Sequence, residues 1–137
     1  MLEKLKEIRK NRLIEVETCG GLGPNPGISN IIVTKDKKIY FYQKYFRLSE
    51  YYKEKYNLKE ESLSNEIVLT INQYEKIIEF IEQRFANKQF KPNVIMDYSS
   101  TIYIDYPNCQ NIIHNNLENL EHQFRQLLVL INVIKNN

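Results

Sequence analysis

Thiols and imidazoles are scarce in this chain: Cys19, Cys109, His114 and His122 are all there are in 137 residues. A cysteine nucleophile needs a base within reach and a thiol pKa lowered by a cation or a helix N-terminus. Cys19 ends the strand-like run RLIEVETC, where cysteine ordinarily serves as a small core hydrophobe, so a Cys-dependent enzyme ranks behind the binding readings below. The thiols and imidazoles follow no finger or ribbon spacing, and His122 has no partner four residues on, so neither a metal site nor a cofactor is expected. Carboxylates do occur in small groups: Glu15 with Glu17 on one strand face, Glu75, Glu79 and Glu82 on one helix face, Asp97 and Asp105 in two halves of a hairpin. Each is what a solvated face or a turn looks like, and no acid–base set emerges.

The stretch CGGLGPNPG, residues 19 to 27, holds every glycine of the chain and two of its four prolines. A phosphate cradle would aim glycine amides from a loop into a helix N-terminus, with Lys and Ser/Thr following. Here Gly27 leads into ISNIIV, a strand pattern, and the GxGxxG spacing fails. Gly20, Gly21, Leu22, Pro24, Asn25 and Pro26 therefore read as a strand-to-strand connection. Because prolines stiffen it, little entropy is lost if a partner grips it, which makes it a secondary contact candidate.

Recognition chemistry concentrates between Lys35 and Lys59, which carry eight of the sixteen aromatic residues and eight basic against three acidic side chains. Alternation puts Ile39, Phe41 and Tyr45 on one strand face and Tyr40, Tyr42, Lys44 and Phe46 on the other, so both faces are aromatic. Tyrosine and arginine dominate protein hot spots because they bury rigid area with a polar tip. The expected contact residues are Tyr40, Tyr42, Lys44, Tyr45, Arg47, Tyr51 and Tyr52. Aromatic stacking beside cations also suits single-stranded nucleic acid. Net charge is only +2, with 13 basic and 7 acidic residues up to position 59 against 6 and 10 after it. That balance ranks a protein partner above nucleic acid.

The elements that must hold these residues are legible from periodicity. MLEKLKEIRK sets Met1, Leu5 and Ile8 on one face of a short N-terminal helix, and RLIEVETC alternates as a half-buried strand. NIIVT and KIYFYQKYF, separated by KDKK, predict a hairpin, whereas residues 48–64 read as a short helix or an ordered excursion. Thr70 with Gln73 forms a capping box, opening a helix over about 70–88 whose stripe is Ile71, Tyr74, Ile77, Ile78, Ile81 and Phe85. VIMDY, SS and TIYIDY predict a second hairpin closed by Pro107 and Asn108, with NIIH as one more short strand. Asn115 or Asn116 caps a last helix to about 135, striped by Leu117, Leu120, Phe124, Leu127, Leu128, Ile131 and Ile134. Inside it LLVLI is apolar all round, which motivates an expected homodimer through the C-terminal helix.

Together these elements predict a single α+β domain over residues 1–137: an antiparallel sheet of two hairpins, two main helices on one face, and the short N-terminal helix. The absence of an apolar leader, a membrane-length run or a cysteine framework points to a cytoplasmic protein. The Ile, Asn, Lys and Tyr bias fits a bacterial or phage source. In element order over residues 13 to 134, and in a first strand ending in Gly20 and Gly21, the chain resembles the emfourin type of small bacterial metalloprotease inhibitor. The 48–64 excursion and the proline-rich loop depart from that pattern, and no functional residue carries over. The expected function is a small non-enzymatic interaction protein, of the inhibitor, immunity or anti-defence kind.

Overall fold

A computed structural model of the chain describes residues 1–20, 26–91, 98–115 and 118–135, with residues 98, 99, 114, 115 and 118 described as backbone only. Helix α1 (Leu2–Arg9) passes through Lys10 and Asn11 into β1 (Arg12–Gly20), and β2 (Gly27–Thr34) and β3 (Lys38–Tyr45) follow as the expected hairpin. Then come α2 (Glu50–Lys55), β4 (Glu61–Leu63), β5 (Ile67–Val68), α3 (Ile71–Arg84), β6 (Tyr98–Ile104), β7 (Ile112–Asn115) and α4 (Glu118–Leu130). The strands make one antiparallel sheet in the order β4–β3–β2–β1–β6–β7, with β5 also pairing β3.

Alternation along β1 separates the two faces. Ile14 and Val16 point to the side of α3 and α4, in line with Ile31 and Val33 of β2, Ile39 of β3, and Ile102 and Ile104 of β6. Ile77, Phe80 and Ile81 of α3, with Phe85 at its end, close that core from above together with Phe124 and Leu128 of α4. Phe80 lies 5.9 Å from Phe85 and 5.7 Å from Phe124, ring centre to ring centre. The two main helices thus share one face, whereas α1 packs on the other. There Leu5 and Ile8 cover Ile32, Tyr40 and Tyr42.

The capping box forms as expected: the Gln73 amide donates to Thr70 Oγ1 at 3.1 Å and the Thr70 amide to Gln73 Oε1 at 2.9 Å. Gln73 Nε2 also donates to the Ile131 carbonyl at 2.8 Å, tying the start of α3 to the end of α4. Ile71, placed on the buried stripe by its spacing, is instead exposed in the first turn of α3. In the LLVLI stretch Leu128 is fully buried and Leu130 is largely exposed.

The second hairpin is β6 with β7, so NIIH supplies its second strand. Ser99 and Ser100, expected at a turn, lie inside β6 and pair with Cys19 and Thr18 of β1. The VIMDY half of the expected hairpin falls on residues 94–98, of which only Tyr98 is within the described residues. Turns elsewhere rely on asparagine: Asn57, Asn87, Asn108 and Asn132 all adopt left-handed φ, which asparagine tolerates better than most residues. After α4, Asn132 donates to the Val129 carbonyl at 3.0 Å and Val133 to Leu128 at 2.8 Å, a Schellman end.

Candidate functional site

The aromatic segment divides when folded. On β3, Tyr40 and Tyr42 point under α1 and are only 8% exposed. Tyr40 donates its hydroxyl to Glu66 at 3.2 Å and Tyr42 to Glu61 at 2.9 Å. Burial first, and then the Glu61 carboxylate, push the Tyr42 hydroxyl up to about 12. Burial and Glu66 move Tyr40 in the same direction. These two tyrosines, expected at a contact surface, are core side chains, because the short helix that precedes β1 folds back over them.

Phe41 packs against the core on the helix side, and aromatic exposure begins at the corner where β3 runs into α2. Phe46, Tyr51 and Tyr56 are 58%, 63% and 56% exposed. Tyr52 stands edge to face with Tyr51 at 5.3 Å and stacks on Tyr56 at 5.9 Å. Lys55 Nζ lies 5.4 Å from the Tyr51 ring centre and 5.3 Å from that of Tyr56. Lys44 and Arg47 are exposed and Tyr45 is half-buried.

Local chemistry fixes this corner. Ser49 caps α2 by accepting the Tyr52 amide at 3.3 Å, and left-handed Asn57 ends it as Leu58 donates to the Lys53 carbonyl at 3.0 Å. Tyr45 and Phe46 donate their amides to Glu60 and Pro26, each at 2.8 Å. Phe46 and Tyr56, outside the expected contact set, are exposed at the same corner. Tyr52 and Tyr56 stand four apart on one helical turn, a spacing readable in the sequence that brings their rings together.

Of the connection expected as a secondary contact, Gly20 and Pro26 are described, whereas Gly21, Leu22, Pro24 and Asn25 lie outside the described residues. Gly27, at its exit, has a packing reason to be glycine: a Cβ there would sit 2.4 Å from the Lys44 carbonyl oxygen. Gly20 has open space around it.

One acidic pair departs from the solvated reading. Glu15 is fully buried on the α1 side of the sheet, held by Arg9 Nη2 at 2.8 Å, Arg12 Nη1 at 2.7 Å and Asn30 Nδ2 at 2.6 Å. Asn30 also donates to Glu17 at 3.0 Å, and Arg12 lies 4.6 Å from the Tyr103 ring centre. Burial pushes the Glu15 carboxyl up, but the hydrogen bonds from Arg9 and Arg12 outweigh it and hold it below the ordinary carboxylate range. With its oxygens occupied, Glu15 ties α1 to the sheet and is not free for proton transfer.

Cys19 and His122 lie on opposite sides of the sheet. Cys19 alternates with Glu15 and Glu17 toward the α1 side, whereas the neighbouring Thr18 meets Glu121 of α4 at 3.3 Å, so His122 belongs to the opposite layer. Cys109 is half-buried, and burial with the Glu82 charge raises its thiol pKa, opposite to what a nucleophile needs. His114 sits opposite Thr101 in the β6–β7 register, and Asp97 lies outside the described residues. Asp105 pairs with Lys35 at 2.6 Å. Among the described residues no three Asp, Glu, His or Cys side chains gather as a metal site, and no helix is long and apolar enough to cross a membrane. Compared with protein-family models and with curated proteins, the chain matches none, so the emfourin-type resemblance rests on element order and the Gly20–Gly21 dipeptide.

Proposed function

We propose that the chain is a non-enzymatic interaction domain that holds a partner protein with the β3–α2 corner, through Phe46, Arg47, Tyr51, Tyr52 and Tyr56. Membership of the inhibitor, immunity or anti-defence kind follows as part of this reading, since such factors act by occupying a surface. The observation that carries it is the contiguous set of Tyr51, Tyr52 and Tyr56 rings on α2 and its cap, with Tyr51 and Tyr56 exposed and no residue of the helix buried. Large rigid aromatic groups with polar tips lose little entropy when covered.

A protein is favoured over a nucleic acid because Lys44, Arg47, Lys53, Lys55 and Lys59 alternate with Glu50, Glu54 and Glu60, leaving no run of cations to track a phosphate backbone. Lys53 is itself 3.9 Å from Glu60. The test compares proteins co-purifying from the native cell with the wild type and with a Tyr51→Ala/Tyr56→Ala variant of unchanged thermal midpoint. A partner lost selectively from the variant is the expected result. Equal recovery by both would sink the reading, and a labelled single strand bound with steep salt dependence would replace it with the nucleic-acid alternative.

A further inference from the structure

At the end of the sheet away from α2 lies a cleft of about 530 Å3 lined by Leu13, Lys35, Tyr74, Asp105, Tyr106 and Pro107. Its size falls within the usual range for a ligand site. We propose that this cleft binds a proline-containing peptide segment in the polyproline II conformation, seated between Tyr74 and Tyr106.

Four observations select that ligand. The walls offer two half-buried tyrosine rings, an aliphatic floor and a proline, the apolar and aromatic surface against which prolyl rings dock. The backbone around the cleft is already paired: Lys35 donates to Asn11 at 2.8 Å, Asp105 to Leu13 at 2.9 Å and Leu69 to Lys37 at 2.8 Å. A ligand that needs strand pairing finds no ladder here. A polyproline segment needs none, because its prolines carry no N–H and its carbonyls are left free to accept.

A donor for those carbonyls belongs to the lining: the Tyr74 hydroxyl makes no hydrogen bond among the described residues. Lys37, outside the lining, places its Nζ 5.3 Å from the Tyr74 ring centre. Charge argues for a neutral ligand over a phosphorylated one: Lys35 and Asp105 neutralise each other at 2.6 Å, and Asp36 and Lys38 lie beside Lys37 in the same turn.

The probe is fluorescein-labelled decaproline, followed by fluorescence anisotropy against the full chain, with a labelled Gly–Ser decapeptide as control. Saturable binding of decaproline alone is expected, weakened at least about tenfold by Tyr74→Ala or Tyr106→Ala, as loss of an aromatic anchor does. Tyr74→Phe keeps the ring and so serves if the alanine variants fail to fold; losing one hydroxyl donor is expected to weaken binding about threefold. Tyr51→Ala is expected to leave decaproline binding unchanged, so this site and the β3–α2 corner succeed or fail separately. The proposal is overturned by absence of saturable binding, by equal binding of the Gly–Ser peptide, by wild-type affinity in a folded Tyr74→Ala variant, or by displacement of decaproline with free phosphotyrosine.

Discussion

The two faces of the sheet are closed by opposite means, although the same strands furnish both. Toward α3 and α4 the cover is apolar, with Val16, Ile31, Ile39 and Ile102 meeting Ile77, Ile81, Phe85 and Phe124. Toward α1 only Leu5 and Ile8 reach down, and beside them the face is completed by Arg9, Arg12, Glu15 and Asn30. An eight-residue helix cannot blanket a sheet, so hydrogen-bonded charge takes over where hydrocarbon runs out. Apolar packing is indifferent to pH and forgiving of direction, whereas a buried carboxylate held by two guanidiniums fixes one orientation of α1.

The contrast can be broken from either side. Phe85→Ala should cost most, about 3–5 kcal/mol, since a fully buried ring leaves a cavity between the helices and the sheet; urea denaturation measures it. On the other face Glu15→Ala should cost about 2–4 kcal/mol, because Arg9 and Arg12 lose their buried partner while keeping some contact with water. Leu5→Ala is expected to cost about 2–3 kcal/mol and, unlike Phe85→Ala, to make Tyr40 and Tyr42 ionise more readily in an ultraviolet titration.

Effects of pH sharpen the comparison further. The Glu15 carboxyl sits below its unfolded value, so its stabilisation is complete above the ordinary carboxylate range and fades as pH falls through the lowered folded value. Tyr42 is raised, so its contribution holds up to about pH 10 and disappears as pH climbs toward about 12. Unfolding midpoints of wild type and Glu15→Gln against pH check the acid limb, which the variant should flatten. Smallest of all, Tyr51→Ala should change stability by no more than about 0.5 kcal/mol, as an exposed side chain outside both cores.

Much of the architecture was legible because it rests on local rules. Thr70 and Gln73 announced α3, KDKK announced the β2–β3 turn, and alternation in RLIEVETC separated Ile14 and Val16 from Glu15 and Glu17. What alternation cannot say is which face acquires a cover. Glu15 and Tyr42 share the α1 side of the sheet, and only the return of α1 makes both interior. Ser99 and Ser100 misled for a related reason: small polar residues suit turns, but seven register pairs between β1 and β6 keep the backbone extended there. The candidate surface was half visible, since composition singled out the segment while burial decided that its α2 end, and not Tyr40 and Tyr42, remains outside.

Strand β1 occupies an interior position, flanked by β2, its immediate successor, and by β6, which the ribosome makes much later. A nascent chain can therefore zip β1, β2 and β3 into a meander and lay α1 across it before α3 exists. During that interval Val16, Ile31, Val33 and Ile39 stand bare, and so does the free flank of β1 reserved for β6. A truncated product ending before Ile71 should be sticky along that flank, because an unpaired strand edge beside uncovered apolar side chains is a template for association.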